Sequence, residues 1–343
     1  MSFWGYYIPP KAWLGKQPRK DGASGTHLTD DNFDLAQVSD VVHDNKLPSG
    51  LHVRAYCDGL ILFDFTGAKG FSPEPPPEAL NSFEKTALLR LERTEVLNAH
   101  VVCLRHSLLR LQKWDLPFQS VTPHDLLWQA ADDDPHQGVG FKSDRDVDLY
   151  MARSALAYVP WYPKTVDRRI QGRMLTIERV TIADSFAQLE RLLSYESKKP
   201  LRLSSLFNFA IVSLQDHDYP RSLITSWVII EGLLDEKWNS YIASQRKRNI
   251  DGEETVFINV DRVKKLGGRD YTASVRTEVL SIVDNLSFGA YQKVENARRV
   301  RNGWMHELGD VQMSDASEAI QVAAELFDSV FGFQLPTGVS LSL

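Results

Sequence analysis

Between about Thr176 and Val330 apolar residues recur every three or four positions, segment after segment, and nothing else in the chain limits the fold as strongly. Ile182–Tyr195 carries Phe186, Leu189 and Leu193, with Thr181 and Asp184 near its start. Leu201–Leu214 repeats the pattern. Asp218-Tyr219-Pro220 opens a third run, through Ile224, Trp227, Ile230 and Leu234 to about Ala243, because proline is tolerated in a first helical turn. After a polar loop, Ser244–Asp270, come Ala273–Val283, Tyr291–His306 and Ser314–Val330, the last capped by Ser314 or Asp315. Helix following helix over short links predicts an all-α bundle.

The first half reads differently. Residues 1 to about 50 are rich in Gly, Pro, Asp and Asn and predict loops and short strands. His52–Tyr56 and Leu60–Phe65, joined across Asp58-Gly59, predict a β-hairpin. Pro73-Glu74-Pro75-Pro76-Pro77 is a stiff stretch whose last proline suits the start of a helix. That helix is long. Leu80, Ala87, Leu91, Leu97, Val101, Leu104, Leu108 and Leu111 keep the spacing out to Trp114, roughly 50 Å if unbroken. Val159-Pro160-Trp161-Tyr162-Pro163 reads as a domain border. The expected fold class is α+β: a mixed domain with a hairpin and a long helix over residues 1–170, an all-α domain over 171–335, and a tail over 336–343.

Composition narrows the function. A net charge of -6 excludes a wholly basic surface, so any nucleic-acid-binding face has to be local. The two cysteines, Cys57 and Cys103, exclude a disulfide scaffold and fit a reducing compartment. Gly5, Pro9, Pro10 and Lys11 interrupt the aromatic N-terminus, which predicts no signal peptide. The most apolar run, Trp227–Leu234, is short and contains Glu231, so no membrane span is expected. The expectation is a cytoplasmic protein. Three further features read as structural. Arg93 and His100 lie on the long helix, and His100, Cys103 and His106 spread around it without a CxxC partner, so neither metal nor cofactor is expected. Asp132-Asp133-Asp134 before Pro135 reads as a solvated turn.

One residue stands out of place. Ala290, Val294, Ala297, Trp304 and Leu308 form an apolar stripe, and Arg301 occupies the slot where another apolar side chain belongs. A desolvated guanidinium must be paired or used. Asn302 follows it, and His306 lies four residues beyond Asn302 on the same helix face. Arg301 and His306 are five apart, about 140° around the helix, so one helix presents them awkwardly and a second copy facing it would complete a site. Glu231, set among Trp227, Ile230 and Leu234, is the other polar break, and the two are expected to approach across the bundle. A purely structural reading has Arg301 paired to Glu231 while His306 caps a helix end.

Arg301-Asn302-x-x-x-His306, on the penultimate helix of a helical bundle, resembles the signature of the HEPN superfamily (higher eukaryotes and prokaryotes nucleotide-binding domain). The helix from Tyr219 through Glu231 is similar to the acidic-residue helix of its ApeA-like branch. The resemblance covers roughly residues 176–332. It implies an endoribonuclease that needs no metal and acts as a homodimer, with the two Arg-His pairs in one cleft. The RNA 2′-OH would attack the adjacent phosphate, with His306 of the two copies as base and acid, because imidazole titrates near neutral pH. Arg301 would neutralise the pentacoordinate phosphate, Asn302 would orient His306 or a phosphate oxygen, and Glu231 would support Arg301. The products would be a 2′,3′-cyclic phosphate and a 5′-OH.

Arg298, Arg299 and Lys293 on the same helix are the expected RNA-binding cations. From Tyr241 to Arg301 there are twelve Lys/Arg against eight Asp/Glu, a local basic excess. The biological role this implies is a toxin or effector in bacterial stress or anti-phage defence, with room for an antitoxin, a phage trigger or a larger defence complex as partner. Family members silenced by nucleotidyltransferases carry a tyrosine two residues after the histidine. Here that position is Leu308, which puts control by adenylylation in doubt. The alternatives are a non-catalytic module binding RNA or a protein partner, and a helical dimerisation scaffold built on the helix from Leu80.

Overall fold

The computed structural model describes residues 2–8, 12–22, 34–73, 83–115, 119–123, 125–130, 139–140, 176–250 and 253–337. The Asp132–Asp134 turn, the proline stretch beyond Pro73 and the Val159–Pro163 border lie outside them. The fold is α+β, and the chain divides into two compact units, Met1–Ser205 and Leu206–Leu343. The border is later than residue 170 because the helix Arg179–Leu193 packs along the long helix of the first unit.

The first unit is built on a six-stranded sheet in the order β3-β4-β5-β1-β6-β7, with every pairing antiparallel. Its strands are β1 (Ser2–Tyr7), β3 (Val41–Lys46), β4 (His52–Tyr56), β5 (Leu60–Asp64), β6 (Leu127–Ala130) and β7 (Val139–Gly140). Short β2 (Trp13–Leu14) pairs in parallel with β8 (Thr176–Ile177). The β4–β5 hairpin is the expected one. Asp58 accepts from the Leu60 amide at 3.1 Å, and Gly59 takes φ 93°, a conformation that favours glycine. Helix α1 (Phe83–Ser107) runs on into a π-helical turn, Leu108–Gln112, and stops at Lys113 with φ 61°. Its middle is buried almost all round, because it lies between the sheet and α2 (Arg179–Leu193).

Several polar groups in that core find specific partners, as burial favours. Asn98 donates to the Val121 carbonyl at 2.8 Å and accepts from the Val121 amide at 2.9 Å. Arg93, fully buried, lies 3.9 Å above the Phe65 ring and donates to the Ser72 carbonyl. Phe186 is stacked between two imidazoles, His100 at 4.5 Å and His43 at 4.8 Å, a β3 irregularity between Val41 and His43 having re-aimed the latter. Ser185 donates to the Ile182 carbonyl, so His100 Nε2 must donate to Ser185, and His100 Nδ1 accepts from the Tyr6 hydroxyl, each at 3.0 Å. With both nitrogens taken, His100 has no lone pair for a metal, and the His100–Cys103–His106 spacing serves the core.

The second unit centres on α4 (Tyr219–Ser244) and α8 (Met313–Phe331), the most extensively packed pair. Leu223, Trp227, Ile230 and Leu234 meet a stripe of Ala316, Ala319, Ala323 and Phe327, and the alanines let the backbones approach closely. Helix α3 (Lys199–Gln215) precedes α4, whose cap is Asp218, accepting from the Arg221 amide. Over the pair lie α6 (Ala273–Ile282) and α7 (Phe288–Glu307). The stretch read as a polar loop instead holds a hairpin, β9 (Lys247–Ile250) and β10 (Glu253–Val256), and a short helix, α5 (Val260–Leu266). Helix α8 starts one residue before Ser314. Gln312 is its cap, and Asp315 accepts from the Gln312 amide to close a capping box.

Burial pushes His100 down to about 3 and lowers His43 as well. His100 therefore stays neutral in the fold down to about pH 3, whereas in the unfolded chain both histidines charge near pH 6.5, and the lowered pKa of His43 acts in the same direction. The unfolded state therefore binds more protons below that pH, and stability is lost as pH falls from about 6.5 toward about 3. Thermal unfolding followed by circular dichroism should show the first unit losing roughly 1.4 kcal/mol per pH unit to His100. His100→Phe should melt lower at pH 7.5 but with a shallower pH slope; an unchanged slope would contradict this account.

Candidate active site

Helix α7 is anchored lightly. Ser287 caps it by accepting from the Ala290 amide, and only Val294 and Ala297 are buried along twenty residues. Its polar face forms an open groove of ≈ 660 Å³. The groove is lined by residues three and four apart on this single helix, among them Glu295, Asn296, Arg299, Asn302 and His306. Arg301 is not on that face. It lies a turn beyond Ala297 on the partly buried side, where its Nε is buried without a hydrogen-bond partner among the described residues. Its Nη1 donates to Asn302 Oδ1 at 2.9 Å. Asn302 therefore joins the two sides of the helix, holding Arg301 with its carbonyl while standing in the groove with His306. His306 is exposed in the last helical turn, which ends as Leu308 adopts φ 53°.

The expected pair between Arg301 and Glu231 is not formed. Glu231 lies on the outward stripe of α4, with Val228 and Asp235, while Trp227, Ile230 and Leu234 face the core. Its place within an apolar run suggested burial, but the helical period turns it to solvent. Among the described residues no cation lies within ion-pair distance of it. The charge pairing sequence reasoning missed is Arg276 of α6 with Asp235, about one turn further along α4. Arg276 interrupts an apolar stripe of Val275, Val279 and Leu280, so the criterion that singled out Arg301 would have found it.

The expected RNA-binding cations are mostly engaged. Lys293 pairs with Glu325 of α8 at 2.5 Å. Arg298 makes a forked contact to Glu295, Nε at 2.9 Å and Nη2 at 2.6 Å, and that hydrogen-bonded carboxylate raises the Arg298 pKa. Arg299 differs. It donates to Asn296 Oδ1 at 2.7 Å, Asn296 in turn donates to Glu318, and no carboxylate lies within 4 Å of the Arg299 guanidinium among the described residues. At the head of the groove Tyr291 donates to Glu278 at 2.8 Å, which raises the phenol's pKa. Phe288 at one end of α7 and Met305 and Leu308 at the other are exposed, Leu308 at 83%.

Among family models, curated proteins and solved structures, none matches this chain. Function has to be argued from the groove itself.

A double-mutant cycle in urea unfolding checks the pairing. Arg301→Ala with Glu231→Ala should couple by less than about 0.5 kcal/mol, whereas Arg276→Ala with Asp235→Ala should couple by about 1 kcal/mol. Comparable coupling in the two cycles would restore the ion pair expected from sequence.

Proposed function

We propose that this protein is an endoribonuclease that cleaves RNA by attack of the 2′-OH on the adjacent phosphate, with Arg301, Asn302 and His306 as its working residues. The observation that carries this reading is the bridge made by Asn302. It hydrogen-bonds Arg301 and shares a groove with His306, so residues about 140° apart on one helix are coupled through the amide between them. Arg301 then supplies charge to a phosphate whose negative charge grows in the transition state. His306, exposed and unencumbered, is free to move a proton to or from a ribose or leaving oxygen. Arg299, which no carboxylate among the described residues neutralises, offers a further phosphate contact at the same wall.

One imidazole cannot hold and release a proton at both oxygens in the same step. A second copy placed across the open side of the groove would bring its own His306, so that one acts as base and the other as acid. The exposed Phe288, Met305 and Leu308 at the ends of α7 suit such a contact. The reaction needs only these protein groups. The resemblance to HEPN ribonucleases supports a role among toxins or effectors of stress and anti-phage defence, and that role is part of the proposal.

Purified protein should cleave single-stranded RNA in EDTA and leave 2′,3′-cyclic phosphate ends. His306→Ala and Arg301→Ala should each lower the rate by about a hundredfold or more while remaining folded. Asn302→Ala should lose less, because it acts through Arg301. Undiminished cleavage by either of the first two variants would sink the mechanism.

A further inference from the structure

A second hollow, of ≈ 430 Å³, opens between α4 and α6 in the same unit. That volume suits a nucleotide-sized ligand. Its walls carry one carboxylate and one guanidinium with no ion-pair partner among the described residues, Glu231 and Arg269. The other two charges cancel locally, since Arg276 Nη1 is bonded to Asp235. Tyr271 adds an aromatic ring, braced by Trp238 at 5.6 Å between centroids, and Trp238 is itself fixed by its bond to the Leu266 carbonyl. Gly267 and Gly268 bring bare backbone to the wall. Ala273, at the start of α6, keeps an amide that neither the helix nor the Thr272 cap satisfies, since Thr272 accepts from Val275.

We infer that this hollow binds a guanine nucleotide: Glu231 reads the base edge, Tyr271 packs against the base, and Arg269 with the Ala273 amide holds the phosphate. A carboxylate offers two acceptors side by side. Guanine alone among the four RNA bases presents two adjacent donors on its Watson–Crick edge, N1–H and N2–H. Adenine and cytosine place a ring acceptor beside one amino group, which a carboxylate repels, and uracil flanks its single N–H with carbonyls. Stacking on an aromatic side chain together with hydrogen bonds to the pairing edge is how proteins read unpaired bases. The same chemistry recognises a guanosine within RNA or a free guanine nucleotide, so the site deepens the ribonuclease reading without depending on it.

Calorimetric titration of the full chain with GMP, AMP, CMP and UMP tests the inference. GMP should bind roughly tenfold or more tightly than AMP, the discrimination expected of a two-point contact. Glu231→Gln should bring the two level; Glu231 is exposed and without an ion-pair partner among the described residues, so the exchange leaves the fold intact. Arg269→Ala should weaken GMP while leaving guanosine unchanged. Equal affinity for all four nucleotides, no binding, or a GMP preference that survives Glu231→Gln would overturn the proposal. Two RNAs differing by a single G-to-A exchange then identify the source. Cleavage that follows the guanosine in wild type and loses that preference in Glu231→Gln assigns RNA as occupant. GMP binding with cleavage blind to guanosine assigns the free nucleotide. GMP binding with no cleavage of either RNA supports this site and removes the ribonuclease reading alone.

Discussion

The close approach of α4 and α8 governs the second unit. Alanines at positions 316, 319 and 323 let α8 lie against the large side chains of α4, and the buried residues of both helices form the centre of the unit's core. Once that core exists, α6 and α7 need contribute little to it. Helix α7 buries a valine and an alanine and leaves the rest of its surface polar. A helix relieved of packing in this way can carry arginines, amides and an imidazole along one open face, which a core helix could not do without a large desolvation cost.

The polar face is nevertheless ordered by short-range contacts. Glu295 holds Arg298, Asn296 holds Arg299, and Asn302 holds Arg301, each within one turn. Two of these holders are amides, which orient a guanidinium without neutralising it, and the third is a carboxylate, which does both. The groove is thereby less basic than its arginines suggest. Arg299 and Arg301 have no carboxylate partner among the described residues, whereas Arg298 and Lys293 are committed to protein carboxylates.

What could be read from sequence was what local rules determine. The Asp58-Gly59 hairpin, the Asp218 cap and most helix spans follow from turn chemistry and the 3.6-residue period. Features that depend on facing elements were less visible. Glu231 was misplaced because a polar residue within an apolar run was read as buried, although its neighbours at three and four positions, Val228 and Asp235, mark an outer stripe. The β9–β10 hairpin escaped notice because its four residues per strand are mostly charged or polar, and alternation is invisible without an apolar face. The later border between units followed from α2 joining α1, a choice between two possible neighbours that periodicity does not make. Spacing alone does not decide whether Arg301 and His306 work together, and the contact between Arg301 and Asn302 is a side-chain conformation that spacing does not show.

A groove whose wall is a single helix is open on its other side. If that side is closed by another copy, the number of complete sites is set by mass action, rising with the square of protomer concentration while dimers are scarce. A tenfold rise in the protein would then create about a hundredfold more sites. Such a chain would be nearly inert at low abundance and disproportionately more active as its abundance rises, a property seated in the geometry of α7 and requiring no separate inhibitor.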